Sequence, residues 1–217
     1  GVARVLEARL NPPFSRSHGF SSEEVAGLPR LERATMAAEY PFVWLTFEDA
    51  RLPVDVSLEA FTPFIPLNPE DSGIPCAILT YTLRNHGTER VRASIVGSLS
   101  NMAGYAGRRC DGNPITSGSE HQVNELREEP PATGLFLSST DYAETDLRRL
   151  SMSLITASEG LTAKPEWFSG GWFDGLRDFW DDFAEDGLLR RASDSSAYGN
   201  AMHQVPFKTG SVGNQVT

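Results

Sequence analysis

EAFTPFIPLNPEDSGIPCAILTYTLRN, residues 59–85, decides how this chain reads. A strand pattern runs into Ala60, stops over prolines at 63, 66, 69 and 75, and resumes as a second strand pattern at Cys76. Proline has no amide proton to give to a β ladder, so the segment between the two strands cannot lie inside a sheet. Phe61, Phe64, Ile65 and Leu67 nevertheless favour burial. Together these demands predict an extended crossover from one sheet to another, its apolar side chains packed over the sandwich edge. Asp71, Ser72 and Gly73 supply the turn before the next strand.

Period-two alternation extends outward from this stretch. FVWLTFE (42–48) sets Val43, Leu45 and Phe47 on one side, and VDVSLEA (54–60) sets Val54, Val56, Leu58 and Ala60 against Asp55, Ser57 and Glu59. CAILTYTLR (76–84) aligns Ala77, Leu79, Tyr81 and Leu83, and VRASIVGSL (91–99) aligns Val91, Ala93, Ile95 and Leu99. NHGTER between them reads as a hairpin-type turn with Asn85 or Gly87 at positive φ. Further strands are expected at GLFLSS (134–139) and SMSLITA (151–157), and the ending GSVGNQVT reads as the approach to another. Short alternating strands without interleaved helices predict a mainly all-β protein, an antiparallel two-sheet β-sandwich, rather than a parallel α/β fold.

The expected organisation is an N-terminal loop region, 1–38, with a helical turn after the capping residues Ser21 to Glu24, and a β-sandwich domain over 39–217. The stretch from Asn101 to Pro131 reads as a long loop rich in Gly, Arg and Glu.

One segment breaks the β pattern. In SGGWFDGLRDFWDDFAEDG, Trp172, Leu176, Phe179, Trp180 and Phe183 recur at helical spacing, which predicts an amphipathic helix over 171–186 closed by Gly187. Its aromatic stripe must dock on the sheet or on another domain, which makes Phe179, Trp180 and Phe183 interface candidates. Asp181, Asp182, Glu185 and Asp186 read as its solvated face. Trp167 and Trp172 flank Ser169-Gly170-Gly171; exposed indoles beside glycine can stack on sugar faces, so both are substrate-proximal candidates. The plainer reading packs Trp172 in the helix stripe and Trp167 at a sheet edge.

The formal charge of −10 over 217 residues opposes a nucleic-acid partner. No apolar run is long enough to span a bilayer, and the first residues lack the apolar segment of a signal peptide, which favours the cytoplasm. Cys76 and Cys110 make no disulfide framework and read as free thiols, Cys76 partly buried. His18, His86, His121 and His203 are scattered in polar contexts, and no metal-ligand spacing or cofactor motif occurs. Acidic neighbours such as Glu48/Asp49, Glu70/Asp71 and Asp181/Asp182 do not set the separation that two glycosidase carboxyls need. No catalytic residue is identified.

The 59–85 stretch, preceded by FVWLTFEDARLPVDVSL and followed by VGSLSNMAGY, resembles the N-terminal domain of family 116 glycoside hydrolases, the group of bile acid β-glucosidase or non-lysosomal glucosylceramidase. GGWFDGLRDFWDDFAEDG resembles bacterial members of the same family. The resemblance implies an N-terminal β-sandwich followed in the full protein by an (α/α)6 helical barrel. There a Glu nucleophile and an Asp acid/base carry out retaining cleavage of β-glucosides. No residue of this chain matches those catalytic motifs. The chain is therefore expected to be a non-catalytic domain, incomplete at its C-terminus, whose partners are the downstream barrel and, in the full protein, a β-glucoside or glycolipid. A self-contained carbohydrate-binding module using Trp167 or Trp172 is the alternative, and a complete small hydrolase built from clustered acids a third.

Overall fold

The computed structural model describes residues 1–8, 27–107, 121–168, 174–189 and 208–217. Its strands are β1 (Val5–Ala8), β2 (Arg30–Leu31), β3 (Arg33–Glu39), β4 (Phe42–Glu48), β5 (Val54–Phe61), β6 (Ile78–Asn85), β7 (Ala93–Ser100), β8 (Gln122–Glu129), β9 (Ala132–Ser139), β10 (Met152–Thr156), β11 (Leu161–Lys164) and β12 (Thr209–Val216). Two helices, α1 (Pro69–Ser72) and α2 (Asp174–Asp186), complete the described elements. The fold is mostly β, built from several antiparallel sheets and sandwich-like, as the alternation predicts. The chain divides into two compact units, Val2–Val91 and Arg92–Thr217.

In the first unit β3, β4, β5 and β6 form a four-stranded antiparallel sheet in sequence order. Its register brings the alternating residues into rows: Phe47, Val56 and Leu83; Leu45, Leu58 and Tyr81; Val43, Ala60 and Leu79. Phe47, Val56 and Leu58 are buried, as is Leu31 of the short parallel pair β1–β2. The side chain of Asp49, fully buried, is gripped by Arg4 Nε at 2.6 Å and by Arg51.

The proline passage is not a crossover. β5 and β6, the strands it joins, are hydrogen-bonded neighbours paired from Val54↔Asn85 to Phe61↔Ile78, so the passage is the wide loop of a single hairpin. It is stabilised internally. Asn68 caps α1, accepting from the Asp71 amide at 3.1 Å with Pro69 in the first turn, and Ser72 Oγ both accepts from Ile65 N–H at 2.9 Å and donates to its carbonyl at 3.0 Å. Those local bonds satisfy the backbone that prolines bar from a ladder, and no second sheet is needed to end the excursion. Cys76, expected to be partly buried at a strand head, is exposed within this loop, two residues before β6 begins. Cys110 lies outside the described residues, as does the helical turn expected at 21–24.

NHGTER also departs from expectation. β6 and β7 do not pair; the segment carries the chain from the first unit to the second. Asn85 shapes it through its side chain rather than through positive φ, with Oδ1 accepting from Gly87 N–H at 2.8 Å and Nδ2 donating to the Glu89 carbonyl at 2.7 Å.

In the second unit two three-stranded antiparallel sheets, β10-β9-β8 and β11-β12-β7, enclose a core of Leu135, Leu137 and Val212 with Leu99, Met152, Leu154 and Leu161 packed around it. β7 finds its partner in β12, more than a hundred residues along the chain. A buried polar knot ties the sheet ends. Asn101 Nδ2 reaches Asn124 Oδ1 and the Ser138 carbonyl, each at 2.9 Å, while Gln122 Nε2 donates to the Asn101 carbonyl at 2.7 Å and its Oε1 accepts from Lys208 N–H. β8 corrects the long-loop expectation for 101–131: QVNELREE, though polar, is an edge strand paired along its whole length with β9.

Candidate functional site

α2 positions the first group of expected site residues. Asp178 and Asp182, four residues apart and so on one helix face, both reach Lys164 Nζ, at 2.7 and 3.4 Å. Lys164 ends β11 and is only 3% exposed, so the pair pins the helix to the edge of the β11-β12-β7 sheet. Asp181, Glu185 and Asp186 are exposed, as expected of a solvated face. Asp182 is not: its side chain is 9% exposed, because a buried ammonium requires a carboxylate partner.

Phe179 packs beside this clamp. It is buried and stacks on Trp167, centroids 4.5 Å and planes 13° apart, and Phe183 lies parallel at 6.3 Å. The Trp167 indole N–H donates to Ser211 Oγ at 2.7 Å, and Ser211 in turn bonds Ser98 Oγ. Trp167 therefore joins helix to sheet. Trp180 and Phe183 are half-buried, and Trp172 lies outside the described residues.

The first unit carries a feature that sequence reading missed. Because β4 alternates, Phe42 and Trp44 leave the face of Val43 and Leu45 and lie in rows with Phe61 and Glu59 of β5. The Phe42 ring stacks near Trp44 at 5.7 Å and tilts against Phe61 at 5.4 Å, Tyr40 meets Phe64 edge-on at 5.1 Å, and Trp44 Nε1 donates to Glu59 Oε2 at 2.9 Å. Tyr40, Phe42, Trp44, Phe64 and Ile78 are all exposed. The available signal was an aromatic residue at two of the four positions that alternate with Val43, Leu45 and Phe47, namely Phe42 and Trp44.

A cleft of about 610 Å³ opens on the outer face of the β10-β9-β8 sheet. Val123, Glu125 and Arg127 of β8 and Phe136 and Ser138 of β9 form its floor, and Glu144, Arg149 and Leu150 of the following loop form a wall. Arg127 lies over the Phe136 ring at 3.6 Å and pairs with Glu125 at 2.8 Å; Arg149 faces Glu144 at 3.7 Å. The Glu125 and Glu144 side chains are 50% and 87% exposed, and each faces a guanidinium.

His86, exposed, and His121, half-buried, face Asp55 and Asp141 at 3.5 and 2.8 Å, while His18 and His203 lie outside the described residues. Among the described residues no group of three or more His, Cys, Asp or Glu side chains could hold a metal ion, and no helix is long and apolar enough to cross a membrane.

The model of the N-terminal domain of glycosyl-hydrolase family 116, described as beta-glucosidase 2, matches residues 2–217, essentially the whole chain. The chain belongs to this family. No curated protein matches it.

Proposed function

We propose that this glycoside hydrolase N-terminal domain is a non-catalytic scaffold that supports an (α/α)6 helical barrel of the same polypeptide, where retaining hydrolysis of β-glucosides or glucosyl lipids takes place. The exposed aromatic face of the first unit carries the reading. Phe42 stacks on Trp44 and Tyr40 meets Phe64, all four exposed, the kind of apolar surface that marks a docking site. Trp180 and Phe183, half-buried on α2, add a second contact of the same character. The acids support the same view from the other side, since Asp49, Asp178, Asp182, Glu125 and Glu144 are all engaged with cationic side chains.

Two measurements test the proposal. The 217-residue chain alone is expected to leave an aryl β-glucoside intact; turnover by it overturns the non-catalytic role. A Phe42→Ser/Trp44→Ser variant is expected to lower the melting temperature of the full-length protein more than that of the isolated domain. Equal shifts in both would remove the docking role from this face.

A further inference from the structure

We propose that the cleft on the outer face of the β10-β9-β8 sheet is a binding site for a neutral sugar, one or two glycosyl units of a glycoside. The charges of its lining suggest the class. Two carboxylates, Glu125 and Glu144, balance two guanidinium groups, Arg127 and Arg149, so the cleft selects neither an anion nor a cation. What it offers instead is a set of alternating acceptors and forked donors at close quarters, joined by the hydroxyls of Ser138, Thr140 and Ser151. A sugar ring presents the complement, since each of its vicinal hydroxyls both donates and accepts. Val123, Leu150 and Phe136 supply apolar surface for the C–H face of the ring. The volume, about 610 Å³, lies within the ordinary range of small-molecule sites.

The wall is held in shape before any ligand arrives. Asp146 makes a two-pronged pair with Arg148, at 3.0 Å to Nε and 2.6 Å to Nη2, and Arg148 lies over the Tyr142 ring at 4.4 Å. The Gly104 amide donates to the Arg148 carbonyl at 3.2 Å, and Arg149 N–H donates to the Asp146 carbonyl at 2.9 Å. Arg149 and Leu150 therefore face the floor from a fixed loop, which lowers the ordering cost of binding. The openness of the cleft and the exposure of Glu144 limit affinity to the millimolar range, on the order of 1 mM.

The test is a nitrogen-15 NMR titration of the folded 217-residue chain with cellobiose, with inorganic phosphate as a parallel probe. Saturable shifts are expected at Val123 to Arg127 and Phe136 to Thr140 with cellobiose, and none with phosphate. Glu144→Gln and Arg149→Ala, both at the exposed wall, are expected to weaken binding about tenfold while leaving the spectrum otherwise unchanged. Arg127→Ala should abolish binding, its fold checked by the same spectrum. Absence of saturable shifts, shifts unaffected by either wall variant, or preferential shifts with phosphate would each overturn the site. The scaffold role does not depend on this cleft and is decided separately, by turnover and by melting of the full-length protein.

Discussion

The indole of Trp167 lies nearly parallel to the ring of Phe179, 4.5 Å away, while its N–H reaches across to Ser211 at 2.7 Å. One side chain thus joins the only long helix among the described residues to β12, by a face-to-face contact on one side and a hydrogen bond on the other. Phe179→Ala is expected to cost about 3–4 kcal/mol of stability in the second unit. A double-mutant cycle with Trp167→Leu should return a coupling of about 1 kcal/mol. Urea unfolding of the four proteins provides the check; zero coupling would mean the stack is incidental.

Lys164 gives a second prediction. Its ammonium is buried between Asp178 and Asp182, so Lys164→Ala leaves two carboxylates facing one another without a counter-charge. The expected loss is about 3 kcal/mol, and adding Asp178→Asn and Asp182→Asn should recover most of it. Circular dichroism at 222 nm during unfolding follows the helix directly. Recovery absent from the triple variant would show that the lysine acts through packing.

Acid sensitivity of the first unit follows from Asp49. Burial works against its charge, but hydrogen bonds from the Arg4 side chain and from the Arg51 backbone and side chain outweigh that cost and hold the carboxyl far below the usual carboxylate range. A lowered folded-state pKa contributes stability that is complete above the unfolded value, about pH 4, and lost progressively as pH falls from there toward the folded value. Arg4→Ala is expected to cost about 3 kcal/mol at pH 7, the low end for a broken buried pair because Arg51 remains. It should also make stability fall less steeply between about pH 4 and about pH 2. Denaturant midpoints of the two proteins at both ends of that window decide the matter; parallel declines would assign the acid sensitivity elsewhere.

Gly134 of β9 offers a purely steric prediction. A Cβ there would collide with the backbone of Leu154 and Ile155 in the paired strand β10. Gly134→Ala is therefore expected to cost about 1–3 kcal/mol by forcing the strands apart. Amide exchange should report it as lost protection from Met152 to Thr156, and unchanged protection there would refute the mechanism.

Much of this architecture was legible because alternation is a local property. Val43, Leu45 and Phe47 were read as one face of a strand, and they form the rows that meet Ala60, Leu58 and Val56. The helix was equally plain, since an aromatic stripe with period near 3.6 has no other comfortable state. What escaped was whatever depends on a partner. RATMAAE carries no strand signal, and its side chains are mostly exposed; it is a strand because β4 offers it a free edge. QVNELREE reads as a polar loop, yet Gln122 is buried by the carbonyls of Asn101 and Ala103, groups that no inspection of neighbouring residues could have supplied.

The candidate sites divide in the same way. Trp167 and Phe179 were singled out by residue type, but type could not say that they would meet each other. Asp182 was read as a wet residue because its neighbours are acidic, and the correction came from Lys164, eighteen positions earlier. The cleft was invisible, being assembled from two strands and a loop whose individual residues are unremarkable on the outer face of a sheet.

By itself the sequence determined that strands would predominate, where the proline passage must leave the ladder, and that an amphipathic helix would follow them. Each of these is dictated by the covalent chemistry or the polarity pattern of a few consecutive residues. Only the tertiary structure decided that the passage closes a hairpin between β5 and β6 and that β7 pairs with β12. A β-strand offers the same backbone groups to any partner, so the choice among partners rests on how distant side chains fill one core.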